Sequence, residues 1–187
     1  MNRAGFVLAG GRSSRMGRNK ALLPFRGRTL VQYVADQVRC AAGDVSLVGD
    51  HTIYSYLGYP VIEDTHPGYG PLSGIHAALH ASSAEWNLVV ACDMPEITAD
   101  FLKSLLDRAE KTAADAVIPA GPTGDPEPLC AAYHRRSAAT VTDAIERDIH
   151  KVMDGLAAIE IEIWSVSEAK YFHNLNTPQE WLCYSNA

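Results

Sequence analysis

Several features that would assign a function at once are missing from these 187 residues. No Gly is followed by Lys and then Ser or Thr, so there is no Walker A loop. No strand ends in G-x-G-x-x-G: Gly10 and Gly11 are adjacent, which is the wrong spacing for a dinucleotide turn. The four cysteines, Cys40, Cys92, Cys130 and Cys183, are far apart. None form C-x-x-C, and their wide spacing points to neither a zinc site nor a disulfide framework, which favours free thiols in a reducing compartment. No apolar run approaches the roughly 20 residues of a membrane helix, and the first apolar run is too short for a signal peptide. A cytoplasmic protein is therefore expected. The net charge of −6 lacks the broad basic excess expected of a nucleic-acid binder. There is no internal repeat or low-complexity tract.

What is present is ordinary globular composition, 47% hydrophobic and 20% charged, and one unusual stretch. Gly5-Phe6-Val7-Leu8 reads as a buried first strand. Ala9-Gly10-Gly11-Arg12-Ser13-Ser14-Arg15-Met16-Gly17 follows, with Arg18 and Lys20 beyond. Adjacent glycines let backbone approach a ligand that a Cβ would repel, and successive N–H groups in such a turn form an anion nest. Three arginines and a lysine within a dozen residues run against the acidic background. The combination points to a phosphate-rich ligand.

The rest alternates strands with helices. Leu22 to Phe25 is apolar and covers the base of the loop, and Arg26-Gly27-Arg28 turns. Thr29 and Gln32 form a capping box for a helix to about Ala42. Strands are expected over Val45–Val48, Pro60–Ile62, Trp86–Cys92, Asp115–Ile118 and Leu129–Tyr133. Ala158–Trp164 alternates as a half-exposed edge strand. Helices or turns are expected over His51–Leu57, from about Leu72, from Ala99 to about Lys111 behind a Thr98 cap, and over Ser137–Glu146. This order predicts an α/β fold with a doubly wound, mostly parallel sheet in three layers. Ligands of such sheets bind beyond the carboxyl ends of the strands, so the loops after Leu8, Ile62 and Cys92 should meet there.

Asp93 ends the most apolar strand, well placed to hold Mg²⁺ through oxygen; its alternative role is a helix cap, which Thr98 already supplies. Asp64 ends the third strand, where the residues alone read as a turn. Gly70-Pro71-Leu72-Ser73-Gly74 opens a helix with backbone N–H groups available to an anion. His76 and His80 stand four apart but lack the Glu and third ligand of a zinc helix, so a partly exposed helix face is expected.

The glycine loop, L-A-G-G-x-S-x-R-M-G-x-x-K here, resembles the signature of sugar-phosphate and pterin nucleotidyltransferases. The Gly-Gly pair makes it most similar to the molybdenum cofactor guanylyltransferase (MobA-type) family. Val61-Ile62-Glu63-Asp64, Gly70 to Gly74, Cys92-Asp93-Met94-Pro95, Pro126-Glu127-Pro128-Leu129-Cys130-Ala131-Ala132-Tyr133 and Asn174-Leu175-Asn176-Thr177-Pro178 resemble further motifs of that family. The resemblance runs from Leu8 to about Glu180. Gly49 departs from it, standing where some members have Asn. The resemblance implies a Rossmann-like nucleotidyltransferase domain over residues 1–187, with a nucleotide part to about 120 and an acceptor part beyond. It implies transfer of GMP from GTP to the phosphate of molybdopterin, with Mg²⁺ as cofactor and pyrophosphate as product. By the same resemblance Arg15, Lys20 and Asp93 are catalytic, with Asp93 holding the metal. Leu8, Ala9, Gly10, Gly11, Lys20, Asp64 and Asp93 bind nucleotide, and Pro126, Glu127, Asn174, Asn176 and Thr177 bind the acceptor. Transient contacts with other cofactor-biosynthesis proteins and with molybdoenzymes belong to the same reading, which includes neither nucleic acid nor membrane. A cytidylyltransferase on the same pterin, another small-molecule nucleotidyltransferase and an inactive nucleotide-binding adaptor are the alternatives.

Overall fold

The structure is a computed structural model that describes residues 2–10, 19–175, 180, 181 and 184. The first strand, β1, spans Arg3–Leu8. A small hairpin, β2 (Pro24–Phe25) and β3 (Arg28–Thr29), leads into helix α1 (Leu30–Ala42). The capping box expected at Thr29 and Gln32 is formed in both directions, and Gly43 closes the helix. Then come β4 (Ser46–Val48), the short helix α2 (His51–Tyr54) and β5 (Val61–Ile62). Helix α3 covers Pro71–Ala81, β6 Trp86–Ala91 and α4 Ala99–Ala109. Thr98 caps α4 by accepting from the Phe101 N–H. Then follow β7 (Ala116–Ala120), β8 (Cys130–His134), α5 (Ala138–Glu146), α6 (Val152–Gly155), β9 (Ile161–Ser165) and a 3₁₀ turn at Ala169–Phe172.

Seven strands form one sheet in the order β5-β4-β1-β6-β8-β7-β9. Every strand but one runs parallel; β8 is antiparallel to both β6 and β7. Both faces of the sheet are buried, which is why β1 and β6 read as nearly continuous apolar runs. Val7, Leu88 and Val90 face the α1 and α4 layer with Val34, Leu102 and Leu105. Phe6, Leu8 and Val89 face the opposite layer with Leu72, Ile75, Val141 and Ile145. The α/β expectation of three layers around a mostly parallel sheet holds. The antiparallel insertion of β8 between β6 and β7 goes beyond it.

Two local expectations need correction. The strand after Trp86 ends at Ala91, so Cys92 already belongs to the turn. In β9, which does lie at the sheet edge, the alternation does not separate an apolar inner face from a charged outer one. Trp164 stacks on Phe101 and Glu162 pairs with Arg108, both toward α4, while Ile163 is exposed. A charge whose partner waits on the covering helix can point inward, and composition alone does not show that partner. Among the described residues, Cys40, Cys92 and Cys130 are free thiols, and no helix is long and apolar enough to cross a membrane.

Candidate active site

β1 and β6 are neighbours in parallel register, with Leu8 opposite Ala91. The two segments that leave these strand ends must therefore start side by side. The turn after β6 presents Asp93, and the segment returning from the glycine loop presents Lys20 at the start of a 3₁₀ turn, Lys20–Leu22. Lys20 Nζ donates to Asp93 Oδ2 at 2.6 Å, and each side chain keeps 18% of its surface exposed. Opposite charges held this way at the mouth of the sheet stay reachable by a ligand. Behind Asp93 the chain is fixed from two directions. Its carbonyl accepts the Leu175 N–H at 2.9 Å, and the Cys92 N–H donates to the Leu8 carbonyl at 3.1 Å.

The first turn is equally tied down. The N–H groups of Ala9 and Gly10 both donate to the Val48 carbonyl, at 2.9 and 3.2 Å. The Ala9 carbonyl accepts from the Tyr54 hydroxyl at 2.6 Å. Asn19 Oδ1 accepts the Ala21 N–H at 3.0 Å and so caps the turn that carries Lys20. Gly74 lets α3 press on the first strand: a Cβ there would lie 3.0 Å from the Leu8 side chain.

A second wall is made by the segment after β5. Asp64 Oδ1 accepts the His66 N–H at 2.8 Å, and Asp64 Oδ2 accepts the Ser73 hydroxyl at 2.6 Å. Both carboxylate oxygens thus brace the loop against the start of α3. His66 packs edge-on against His76 at 4.6 Å between centroids, and His76 lies 4.2 Å from His80.

On the far side, Glu127 lies close enough to Asp93 to feel its charge and is hydrogen-bonded by the Asn174 side chain. Glu127 Oε1 accepts the Leu129 N–H at 3.3 Å. Burial, and then the charge of Asp93, hold its carboxyl above the ordinary range, opposed by hydrogen bonds from Leu129 and the Asn174 side chain. Asn174 Oδ1 is buried and has no hydrogen-bond partner among the described residues. Pro126 bridges to Ala120 and so fixes the entry to this segment.

This arrangement, a lysine–carboxylate pair at adjacent parallel strand ends beside a glycine turn, suits binding and neutralising a polyphosphate. Residues 5–159 match the MobA-like NTP transferase domain. The chain belongs to that family. A molybdenum cofactor guanylyltransferase of Yersinia pestis is 37% identical over 184 residues, covering 96% of this chain and 93% of its own. A probable molybdenum cofactor guanylyltransferase of Flavobacterium johnsoniae is 32% identical over 177 residues, covering 94% and 92%. The crystal structure of molybdopterin-guanine dinucleotide biosynthesis protein A from Archaeoglobus fulgidus superposes with a TM-score of 0.84 at 29% identity, covering 98% and 97%.

The structure brings together Lys20 and Asp93, with Leu8, Ala9 and Gly10 beside them and Glu127 and Asn174 across from them. Gly11, Arg15, Asn176 and Thr177, like Arg12 and Arg18, lie outside the described residues. The main-chain groups expected to meet the nucleotide are partly engaged within the fold: Ala9 and Gly10 give their N–H groups to Val48. His76 is not the partly exposed residue expected; it is 7% exposed, under His66 and His80. His66 is the third imidazole that helical spacing could not supply, yet among the described residues no group of three His, Cys, Asp or Glu is arranged to hold a metal ion. Cys92 is buried with its thiol pushed up to about 12, mainly by desolvation, which removes it as a nucleophile. Two residues escaped sequence reading. Tyr54 sits in an unremarkable short helix, and its one sequence signal is Gly49, the small residue whose missing side chain leaves room for its ring. Ser73 lay within a glycine motif that drew attention to backbone.

Proposed function

We propose that this protein transfers GMP from GTP to the terminal phosphate of molybdopterin, releasing pyrophosphate. The observation that carries the reading is the Lys20–Asp93 pair at the ends of two adjacent parallel strands, in a chain 37% identical to a named molybdenum cofactor guanylyltransferase. An oxygen of the acceptor phosphate attacks the α-phosphorus of GTP. A P–O bond forms there, and the bond to the β-phosphate bridging oxygen breaks. The attacking phosphate is already anionic, so no general base is needed, and catalysis is positioning plus charge stabilisation.

Lys20 and Arg15 would bind the triphosphate and neutralise charge developing on the leaving pyrophosphate. Asp64, braced by Ser73, would help shape the nucleotide wall, with the backbone of Leu8 to Gly11 forming its floor. The Asp93 carboxylate at the cleft mouth is a hard oxygen donor that fits Mg²⁺. Mg²⁺ held by Asp93 would act as Lewis acid and template for the phosphate oxygens. Glu127, Asn174, Asn176, Thr177 and Pro126 would form the acceptor side, where pterin N–H groups can reach carboxylate and amide oxygens. In this reading residues to about 120 serve the nucleotide and those beyond serve the acceptor. The product would pass to molybdoenzymes in the cytoplasm by transient contact.

The test is nucleotide titration by calorimetry in Mg²⁺ with GTP, CTP, ATP and UTP, with and without molybdopterin. Preference for GTP and pyrophosphate release only with the pterin is the expected result. Preference for CTP would assign the sister cytidylyl transfer, and GTP binding without turnover on any acceptor would assign a binding protein.

A further inference from the structure

The glycine loop begins at Ala9 and Gly10 and ends at Asn19, and among the described residues one side chain from elsewhere bonds to both ends. Tyr54, the last residue of α2, is 2% exposed. Its hydroxyl donates to the Ala9 carbonyl at 2.6 Å and accepts from Asn19 Nδ2 at 3.0 Å. The orientation of the Asn19 amide is set independently, because its Oδ1 already accepts the Ala21 N–H. Both the donor and an acceptor site of the phenol are therefore used, as a buried hydroxyl requires. Desolvation pushes the phenol up to about 12, so it stays protonated and able to donate across the working pH range.

The position of the ring depends on Gly49. A Cβ on that residue would stand 2.9 Å from Tyr54 Cε2 and 3.4 Å from the Gly10 nitrogen. At this position, where some members have Asn, the space beside the loop is taken by an aromatic ring, whose hydroxyl makes a polar contact to the loop.

We propose that Tyr54 is a positioning residue for the nucleotide. It fastens the two ends of the loop between Gly10 and Asn19, and through Asn19 it sets the point from which Lys20 projects. The inference rests on the reading of Lys20 as a triphosphate ligand. Tying loop ends is an entropy cost met on folding, and what is ordered then need not be ordered again when GTP binds. Lysine has a long, flexible stem, so the fixed position of its backbone decides where the ammonium can reach.

The test is Tyr54→Phe, which keeps the ring against Gly49 and removes only the hydroxyl. The KM for GTP should rise about tenfold, as a misplaced binding group costs, while the KM for molybdopterin stays within twofold. Asn19→Ala should move the same parameter, and the double variant should be no worse than the worse single, since both cut one link. In a Lys20→Ala background, Tyr54→Phe should add little, a result that a merely structural tyrosine would not give. A folded Tyr54→Phe protein with parental kcat and KM for GTP overturns the proposal. If Tyr54→Phe fails to fold, Asn19→Ala decides by the same two KM values. If the parent itself turns over no substrate, the function reading has failed, and hydrogen exchange at the Ala9, Gly10 and Ala21 amides decides the tether. Severalfold faster exchange in Tyr54→Phe supports it, and exchange at the parental rate overturns it.

Discussion

The two sides of the cleft treat their polar groups differently. On the side proposed for the nucleotide these groups are used within the protein. Val48 takes two N–H groups of the glycine turn, Tyr54 takes the Ala9 carbonyl, and Ser73 and the His66 N–H take both oxygens of Asp64. On the side proposed for the acceptor, Asn174 Oδ1 is buried without a partner among the described residues, and Glu127 is held partly against ionisation. A buried unsatisfied acceptor costs about 1–3 kcal/mol, a cost that a ligand with a matching donor removes. In the proposed reading one wall is shaped before substrate arrives, whereas the other would be completed by it. A site of the second kind rejects analogues lacking the donor more strongly than an apolar pocket rejects a missing methylene.

The largest expected effects come where the two sides meet. Asp93→Ala should abolish pyrophosphate release, because it removes both the partner of Lys20 and the carboxylate assigned to Mg²⁺. Lys20→Ala should lower kcat/KM by about tenfold or more, in line with loss of a charge-stabilising donor. Near-normal kinetics for both at saturating Mg²⁺ would mean that the pair is structural. The next effect separates the sides. Glu127→Ala should raise the KM for molybdopterin by about tenfold, the loss expected for one hydrogen bond to a charged group, and leave the KM for GTP unchanged. If the GTP value moves instead, the division of the cleft is wrong. Glu127 also gives this step a pH sign. The carboxyl is neutral below its raised pKa and charged above it, so pterin binding should strengthen as pH rises through that value. Glu127→Gln should flatten this slope.

Much of this arrangement was legible in the sequence, for definite reasons. The Thr29–Gln32 box and the Thr98 cap are local hydrogen bonds written within four residues. The meeting of Lys20 with Asp93 followed from the rule that ligands gather at the carboxyl ends of parallel strands. What stayed hidden depends on contacts distant in sequence. The antiparallel direction of β8 is set by its neighbours β6 and β7, and a strand's period of two carries no direction. Tyr54 reaches a carbonyl 45 positions away, and His66 meets His76 only because the loop after β5 folds back on α3. The inward Glu162 needed Arg108 on a helix two strands earlier.

A smaller effect would sharpen the account of the preformed wall. Ser73→Ala removes the donor to Asp64 Oδ2 but leaves its other oxygen on the His66 N–H. The KM for GTP should rise by about threefold, the worth of a single net hydrogen bond at the low end. The KM for molybdopterin should not change. Equal changes in both would show that the segment after β5 serves the whole cleft.

The smallest effect concerns the imidazoles under that wall. His76 is held below the usual histidine value, first by burial, then by His80 and His66, with Asp64 acting in the opposite sense. In the unfolded chain it titrates near 6.5. Between that value and the lower folded one, the unfolded state binds more protons, so the linkage term removes stability as pH falls. His76→Leu keeps an apolar body in the α3 layer and deletes the titration. Thermal unfolding of parent and variant from pH 7.5 to 5.5 should show a steeper fall in Tm for the parent. Each kcal/mol of linkage would separate the curves by about 2–4 °C. Parallel curves would mean that the buried imidazole accepts its proton in place, and that the wall resting on it does not depend on a neutral His76.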